Sequence, residues 1–259
     1  TGKDLIARAI YNSSPRSKDI FVSIDLGSIS ESLFESELFG YEKGAFTDAK
    51  KEKPGRMEIA SGGTLFLDEI ANLSLPMQAK MLTAIEKKSI TRLGATQNIS
   101  IDVRFISATN ADIYQTVEDG EFRQDLLYRI NTVEIHIPPL KERGNDIILL
   151  AEHFLDKYAY KYKKNTQGFS ADIKKKLLAY DWPGNVRELQ NAVERAVILS
   201  NGKLLRIEDF TFSPPKIRNR KEDLNLETIE RVAIEKALRI SLETSAMLWL
   251  REQFELSRG

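Results

Sequence analysis

Two adjacent carboxylates close an apolar run, Gly62-Gly63-Thr64-Leu65-Phe66-Leu67-Asp68-Glu69-Ile70. A run without polar alternation reads as a strand buried on both faces of a parallel sheet. Open α/β sheets bind their ligands at the ends of such strands. Two acids placed there can hold a magnesium ion and orient a water molecule. The same residues also describe a buried strand that ends in a solvated turn. A second candidate is Gly2-Lys3, which opens a segment with apolar residues at Leu5, Ile6, Ala9 and Ile10. That spacing is helical. A Gly-Lys pair at a helix start is the tail of a phosphate-binding loop, where backbone N–H groups face phosphate and the lysine adds a point charge. Taken alone, it fits an ordinary surface lysine equally well. Arg123 and Arg129 lie six residues apart with apolar residues between them. Phe46-Thr47 sits in a polar stretch with Gly40 and Gly44, and an aromatic at such a loop tip serves local packing or touches a partner.

These groups need elements to position them. Residues 20–25 read as a short strand ending in Asp25, and residues 29–39 as a helix. Residues 50–55 have loop chemistry around Pro54-Gly55. Residues 76–88 have helical spacing through Met77, Met81, Leu82 and Ile85, with Pro76 suited to a first turn. Residues 90–94 and 98–101 look like short extended pieces around a turn. Residues 103–110 form another buried strand, predicted to end beside Asp68, and residues 133–137 a fourth, closed by Pro138-Pro139. Strands alternating with helices predict an α/β layer with a parallel sheet over residues 1–139. After Pro139 no strand pattern remains. Residues 146–162, 170–180 and 185–199 read as amphipathic helices, with Ser170 a candidate N-cap and Trp182-Pro183-Gly184-Asn185 a stop and restart. This predicts a small all-helical domain over residues 140–211. A basic linker follows at 212–223, with Lys216, Arg218, Arg220 and Lys221, and then helical stretches at 224–240 and 244–259.

Composition narrows the function classes. Of 259 residues, 42% are hydrophobic and 29% charged, with 38 basic and 38 acidic side chains. The balance excludes a wholly basic nucleic-acid coat and leaves local patches possible. The absence of cysteine excludes a disulfide framework and cysteine-ligated zinc, and two histidines argue against a histidine metal site. No apolar run approaches the roughly 18 residues of a membrane span, and no signal peptide is expected. A cytoplasmic protein without a membrane partner is expected. The chain opens on Thr1-Gly2-Lys3-Asp4 with no initiator methionine, which reads as a fragment of a longer protein.

Four stretches in this order carry a family resemblance: residues 37–49 (ELFGYEKGAFTDA), 62–70 (GGTLFLDEI), 122–129 (FRQDLLYR) and 182–189 (WPGNVREL). Together they resemble the central AAA+ domain of sigma-54-dependent bacterial transcription activators, over residues 1–211. The resemblance implies a P-loop NTPase core with a parallel sheet, a helical lid and a helical C-terminal tail. It implies ATP and Mg2+ as cofactors. Thr1, Gly2 and Lys3 match the end of the phosphate loop, with Lys3 on the β- and γ-phosphates; Asp4 follows as an acid that this family commonly carries. Asp68 matches the magnesium ligand and Glu69 the residue that polarises the attacking water. Thr109 and Asn110 match sensor I, and Arg187 matches sensor II. Arg123 and Arg129 match arginine fingers that reach a neighbouring subunit, implying a homo-oligomeric ring, hexameric or heptameric. Gly44, Ala45, Phe46, Thr47, Asp48 and Ala49 match the loop that touches sigma-54, with Phe46 and Thr47 as the contacts. The implied activity is ATP-driven remodelling of sigma-54 RNA polymerase from a closed to an open promoter complex.

The chain departs from the family pattern in three places. Asp48 replaces a glycine whose role is backbone freedom. Asp25 replaces an asparagine that restrains the catalytic glutamate; beside Glu69 it would repel, and one carboxyl would hold a raised pKa. Residues 226–240 resemble the lead-in helix of a Fis-like DNA-binding domain, but 241–259 lack the helix-turn-helix that should follow. Promoter or enhancer DNA is therefore expected as a partner of a full-length protein rather than of this chain. The departures keep a second reading open, a regulatory AAA+ binding module that does not remodel sigma-54.

Overall fold

The computed structural model describes residues 2–212. Thr1, the linker's basic residues and the stretches expected to be helical at 224–240 and 244–259 lie outside the described residues. In chain order the elements are α1 (Lys3–Asn12), β1 (Phe21–Asp25), α2 (Glu31–Phe39), β2 (Gly40–Tyr41), β3 (Lys53–Pro54), α3 (Arg56–Ile59) and β4 (Thr64–Asp68). There follow α4 (Leu75–Lys87), β5 (Ser89–Thr91), β6 (Asn98–Ser100), β7 (Arg104–Ala108), α5 (Ile113–Glu118) and α6 (Gln124–Ile130). The last are α7 (Asp146–Tyr162), β8 (Gly168–Phe169), α8 (Ala171–Ala179), α9 (Asn185–Leu199) and β9 (Leu204–Leu205).

The frame of the molecule is a parallel sheet in the order β1-β4-β7. β4 is central, and its residues from Thr64 to Leu67 are buried, as its unbroken apolar pattern requires. Its register sets Asp25 opposite Asp68 and Asp68 opposite Ala108. The end of β7 thus lies beside Asp68, as the sequence predicts, and the end of β1 joins them in one row. Around the sheet, Phe34, Leu38 and Phe39 of α2, Met57 of α3, and Met77 and Met81 of α4 join Val22, Ile24, Leu65 and Leu67 in one core. Pro76 lies in the first turn of α4, where its missing N–H leaves no acceptor unpaired.

Two expectations are corrected. Residues 133–137 do not form a fourth strand. They run without ladder pairing among the described residues, and Val133 and Ile135 are 79% and 56% exposed. Alternating apolar residues specify a face, but a strand also needs a partner edge. The helical region is not wholly helical either, because β8 pairs in parallel with β9, two residues against two. Phe169 and Leu205 of that ladder are buried, and two residues carry no readable period. Otherwise α7 and α9 pack together through Ile147, Ala151, Phe154, Leu155 and Tyr158 on one side and Leu189, Val193, Ala196 and Val197 on the other. No helix among the described residues is long and apolar enough to cross a membrane.

Candidate active site

The row of strand ends meets the start of α1. Gly2, the residue before this helix, has φ 97° in the left-handed region that glycine tolerates. The N–H groups of the first turn have no intrahelical acceptor. From this helix start Lys3 reaches across to the end of β4. Its Nζ lies 2.5 Å from Glu69 Oε1 and 3.7 Å from Asp68 Oδ1. The three side chains are only 16%, 19% and 20% exposed, so the cation and the acids interact in a partly desolvated setting.

Glu69 is held on both sides. Its Oε2 accepts the backbone N–H of Asn110 at 2.9 Å, from the loop leaving β7. Its own N–H donates to Asp68 Oδ1 at 3.2 Å. The backbone at Glu69 has φ 58° and ψ 49°, a left-handed conformation that costs a non-glycine residue about 1–2 kcal/mol. This sharp turn separates β4 from the 3-10 turn Ile70–Asn72 and sets the carboxylate between Lys3 and Asn110.

Asp68 carries the electrostatic stress of the site. Burial raises its carboxyl pKa, the charges of Glu69 and Asp25 raise it further, and Lys3 pulls against them. The acid at position 25 therefore acts on its register partner Asp68. Asp25 is exposed, and its Oδ1 accepts the Gly27 N–H at 2.9 Å. A Cβ at Gly27 would touch Asp25 Oδ1 at 3.2 Å and Glu69 Cγ at 3.7 Å, so glycine lets the β1 loop close between the two acids.

A native pKa above the unfolded value means that ionising Asp68 costs the folded state stability. That cost is absent below the ordinary carboxylate range and complete once pH has risen through the raised pKa. Asp68→Asn is expected to raise the melting temperature of the nucleotide-free protein at neutral pH. The gain should shrink as pH falls toward the carboxylate range. Thermal unfolding of both proteins between about pH 5 and pH 8 measures it.

The remaining sequence-predicted residues lie apart from this cluster. Thr109 Oγ1 accepts the N–H of Ala111 at 3.1 Å, so the Thr109-Asn110 pair meets Glu69 through the Asn110 backbone. Asp4 is exposed, 3.7 Å from Arg8. Arg187 is exposed in the first turns of α9. Arg123 precedes α6, and its guanidinium pairs with Asp125 at 2.6 and 3.0 Å; Arg129 is exposed in the last turn. In the loop expected to meet a partner, Gly44 N–H donates to Ala49 O at 2.8 Å and Ala49 N–H to Phe46 O at 2.9 Å. Ala49 is buried, while Phe46 is 43% exposed and packs edge-on against Tyr41 at 4.9 Å. Asp48 lies outside the residues of positive φ, so the closed loop does not need a glycine there.

Sequence reading missed two residues. Arg92, after β5, pairs with Glu42 at 3.0 Å, Glu52 at 3.5 Å and Glu58 at 2.6 Å, tying both legs of the Phe46 loop to α3. Its hydrogen bonds to Glu58 come first in leaving the guanidinium more firmly protonated than usual; burial pulls the other way, and the charge of Glu58 and the hydrogen bond and charge of Glu42 add to the rise. Its only sequence signal is a lone arginine amid acids distant in the chain. The other is Gln78, a polar residue inside the buried stripe of α4.

The donor set fits a divalent cation with a polyphosphate. Asp68 offers a hard carboxylate oxygen whose charge a cation would relieve, and Lys3 and the α1 start offer positive charge beside it. Among the described residues no group of three or more acidic, histidine or cysteine side chains would hold a metal alone. Phosphate and water would then complete a magnesium shell, its usual arrangement.

Comparisons with known proteins agree with this fold. Residues 1–136 match the Sigma-54 interaction domain and residues 141–228 the AAA+ ATPase lid domain. Transcriptional regulatory protein ZraR of Escherichia coli (strain K12) is 52% identical over 205 residues, which is 79% of this chain and 46% of ZraR. The Nif-specific regulatory protein of Herbaspirillum seropedicae is 49% identical over 82% of this chain and 39% of its own length. The chain thus spans about half or less of these relatives. Among solved structures, NtrX from Brucella abortus in complex with ATP superposes with a TM-score of 0.74 at 34% identity, over 81% of this chain and 48% of NtrX. With the interaction-domain model spanning more than half of its length, the chain belongs to the sigma-54-dependent transcriptional regulator family, built on an AAA+ fold.

Proposed function

We propose that this chain is the ATP-hydrolysing motor of a transcription activator, working in a hexameric or heptameric ring of its own copies to remodel sigma-54 RNA polymerase from closed to open promoter complex. The observation that carries the reading is the contact of Lys3 with Asp68 and Glu69 at the start of α1, with Glu69 braced by Asn110. In this reading residues 1–139 bind nucleotide and 140–211 form the lid. Lys3 leaves the acids for the β- and γ-phosphates. Asp68 holds magnesium, which supplies charge neutralisation on those phosphates. Glu69 orients the attacking water and accepts its proton on a carboxylate oxygen. Arg187 reports the nucleotide to the lid, while Arg123 and Arg129 act in the neighbouring subunit's site. Phe46 and Thr47 meet sigma-54. Enhancer and promoter DNA are partners of the full-length protein through regions beyond residue 211.

The support is threefold: the site geometry, membership of the family, and an ATP-bound structural relative. The test is Lys3→Ala in the intact protein, with ATP binding followed by calorimetry. Affinity is expected to fall at least about tenfold, because a point charge on phosphate is lost from a partly buried site. Unchanged binding would sink the proposal.

The regulatory-module reading makes a different prediction at Asp48. Because the closed loop accommodates aspartate without left-handed backbone, open-complex formation with sigma-54 polymerase is expected from the natural protein. Asp48→Gly should change it by no more than a few fold. Activity gained only in the glycine variant would favour the module.

A further inference from the structure

A buried amide joins the segment that carries Glu69 to the base of Arg123. Gln78 on α4 is fully buried. Its Nε2 donates to the carbonyl of Leu73 at 2.7 Å and to the carbonyl of Glu121 at 3.0 Å. Its Oε1 accepts the backbone N–H of Arg123 at 2.7 Å. Both amide hydrogens and the oxygen are engaged, and all three partners are backbone groups of other segments. Leu73 ends the turn that begins at Glu69. Glu121 and Arg123 flank Phe122, itself buried, so the peptide that presents Arg123 is pinned by one side chain below it and one amide beside it.

The structure needs this residue type for a physical reason. The Leu73 and Glu121 carbonyls and the Arg123 N–H face a buried position, and each would bear a desolvation cost if left unpaired. An apolar side chain would suit the stripe formed by Met77, Met81 and Ala84 but would orphan all three. The price of a polar side chain in the core is met only if the geometry it fixes is useful.

We infer that Gln78 is a positioning residue: it fixes the direction of Arg123 relative to the Asp68-Glu69 turn of the same subunit. It thereby ties the state of one subunit's nucleotide site to the finger that subunit offers its neighbour. The inference rests on the reading that Arg123 acts in trans. The linkage is short and rigid. A displacement of the 69–73 turn moves the Leu73 carbonyl, and the Gln78 side chain, buried and hydrogen-bonded at both ends of its amide, carries it to Arg123. Gln78 touches neither nucleotide nor metal in this scheme, so its loss should impair the neighbour's site and spare its own.

Gln78→Met in the intact protein tests this, because methionine keeps the volume and loses the hydrogen bonds. Turnover is expected to fall about 10- to 100-fold, the scale of a misplacement near 1 Å, with ATP affinity within about threefold of the natural protein, since nucleotide contacts stay in place. The defect should be rescued when the variant is co-assembled with Glu69→Gln subunits, which cannot hydrolyse but still lend an intact finger. It should persist when co-assembled with Arg123→Ala subunits. Natural turnover in Gln78→Met, or a defect that Glu69→Gln subunits do not rescue, would overturn the inference while leaving ATP hydrolysis standing. No hydrolysis by the natural protein would overturn both readings. If the methionine variant does not fold, Gln78→Glu serves. It keeps the acceptor for Arg123 and offers a donor only when protonated, so its defect should deepen as pH rises. A defect independent of pH would count against the role.

Discussion

Replacement of Arg123 or Arg129 by alanine is expected to lower ATP turnover about 10³-fold or more, with ATP still bound, in the range that an arginine finger contributes to phosphoryl transfer. The argument is geometric. Arg123 precedes α6 and Arg129 lies in its last turn, both outside the cluster of Lys3, Asp68, Glu69 and Asn110, and neither contributes to it in the chain's own structure. A positive charge excluded from its own subunit's site serves catalysis only in another's. Arg123 is not idle in the single subunit, since Asp125 holds its guanidinium bidentately. That pair is exposed on both sides, so it is easily exchanged for a phosphate in a drier interface. Steady-state hydrolysis and binding measured on the same preparation separate the two effects. Wild-type turnover in both variants would exclude catalysis in trans.

Glu69→Gln is expected to lower turnover by about 10²–10⁴-fold while leaving nucleotide affinity largely intact, the range for loss of a positioned base. Glutamine keeps the shape and can still accept the Asn110 N–H, so the defect isolates the proton and the charge. The substitution also removes one of the negative charges that raise the Asp68 pKa and leaves Lys3 with Asp68 as its acidic partner. Nucleotide binding should therefore not weaken. Mixing inactive Glu69→Gln subunits with inactive Arg129→Ala subunits should restore hydrolysis, because the second kind keeps its glutamate and the first lends its arginine. Failure to recover activity in the mixture would contradict the assignment of the two residues to different subunits.

Much of this site was legible in the sequence because its parts sit at ends of elements. Lys3 lies where a helical period begins, and Asp68 and Glu69 where an apolar run stops. Strand ends in a parallel sheet share one edge, so Asp25, Asp68 and Ala108 fall in a row once the register is set. What failed lacked either a period or a local partner. Residues 133–137 have the pattern of a strand without a ladder, and β8 and β9 are too short to show a pattern at all. Gln78 and Arg92 were hidden for a different reason. Their importance lies in hydrogen bonds and ion pairs to residues as far as 50 positions away, and no spacing rule within a helix or strand encodes those.

The register of the sheet also dictates how the chain must assemble. Thr64 pairs with Phe21 on one side and with Arg104 on the other, each partner roughly 40 residues distant, a separation that makes closure slow. The contacts of α7 with α8 and α9 span shorter separations, as in Lys174 with Glu152 and Lys161 with Glu194, and are expected to close sooner. Until β4 finds both neighbours, Leu65, Phe66 and Leu67 stand in water with no charge among them, a segment prone to pair with another unfolded copy. The two acids that end the strand then serve as gatekeepers against aggregation, a duty they perform before there is any site for them to serve.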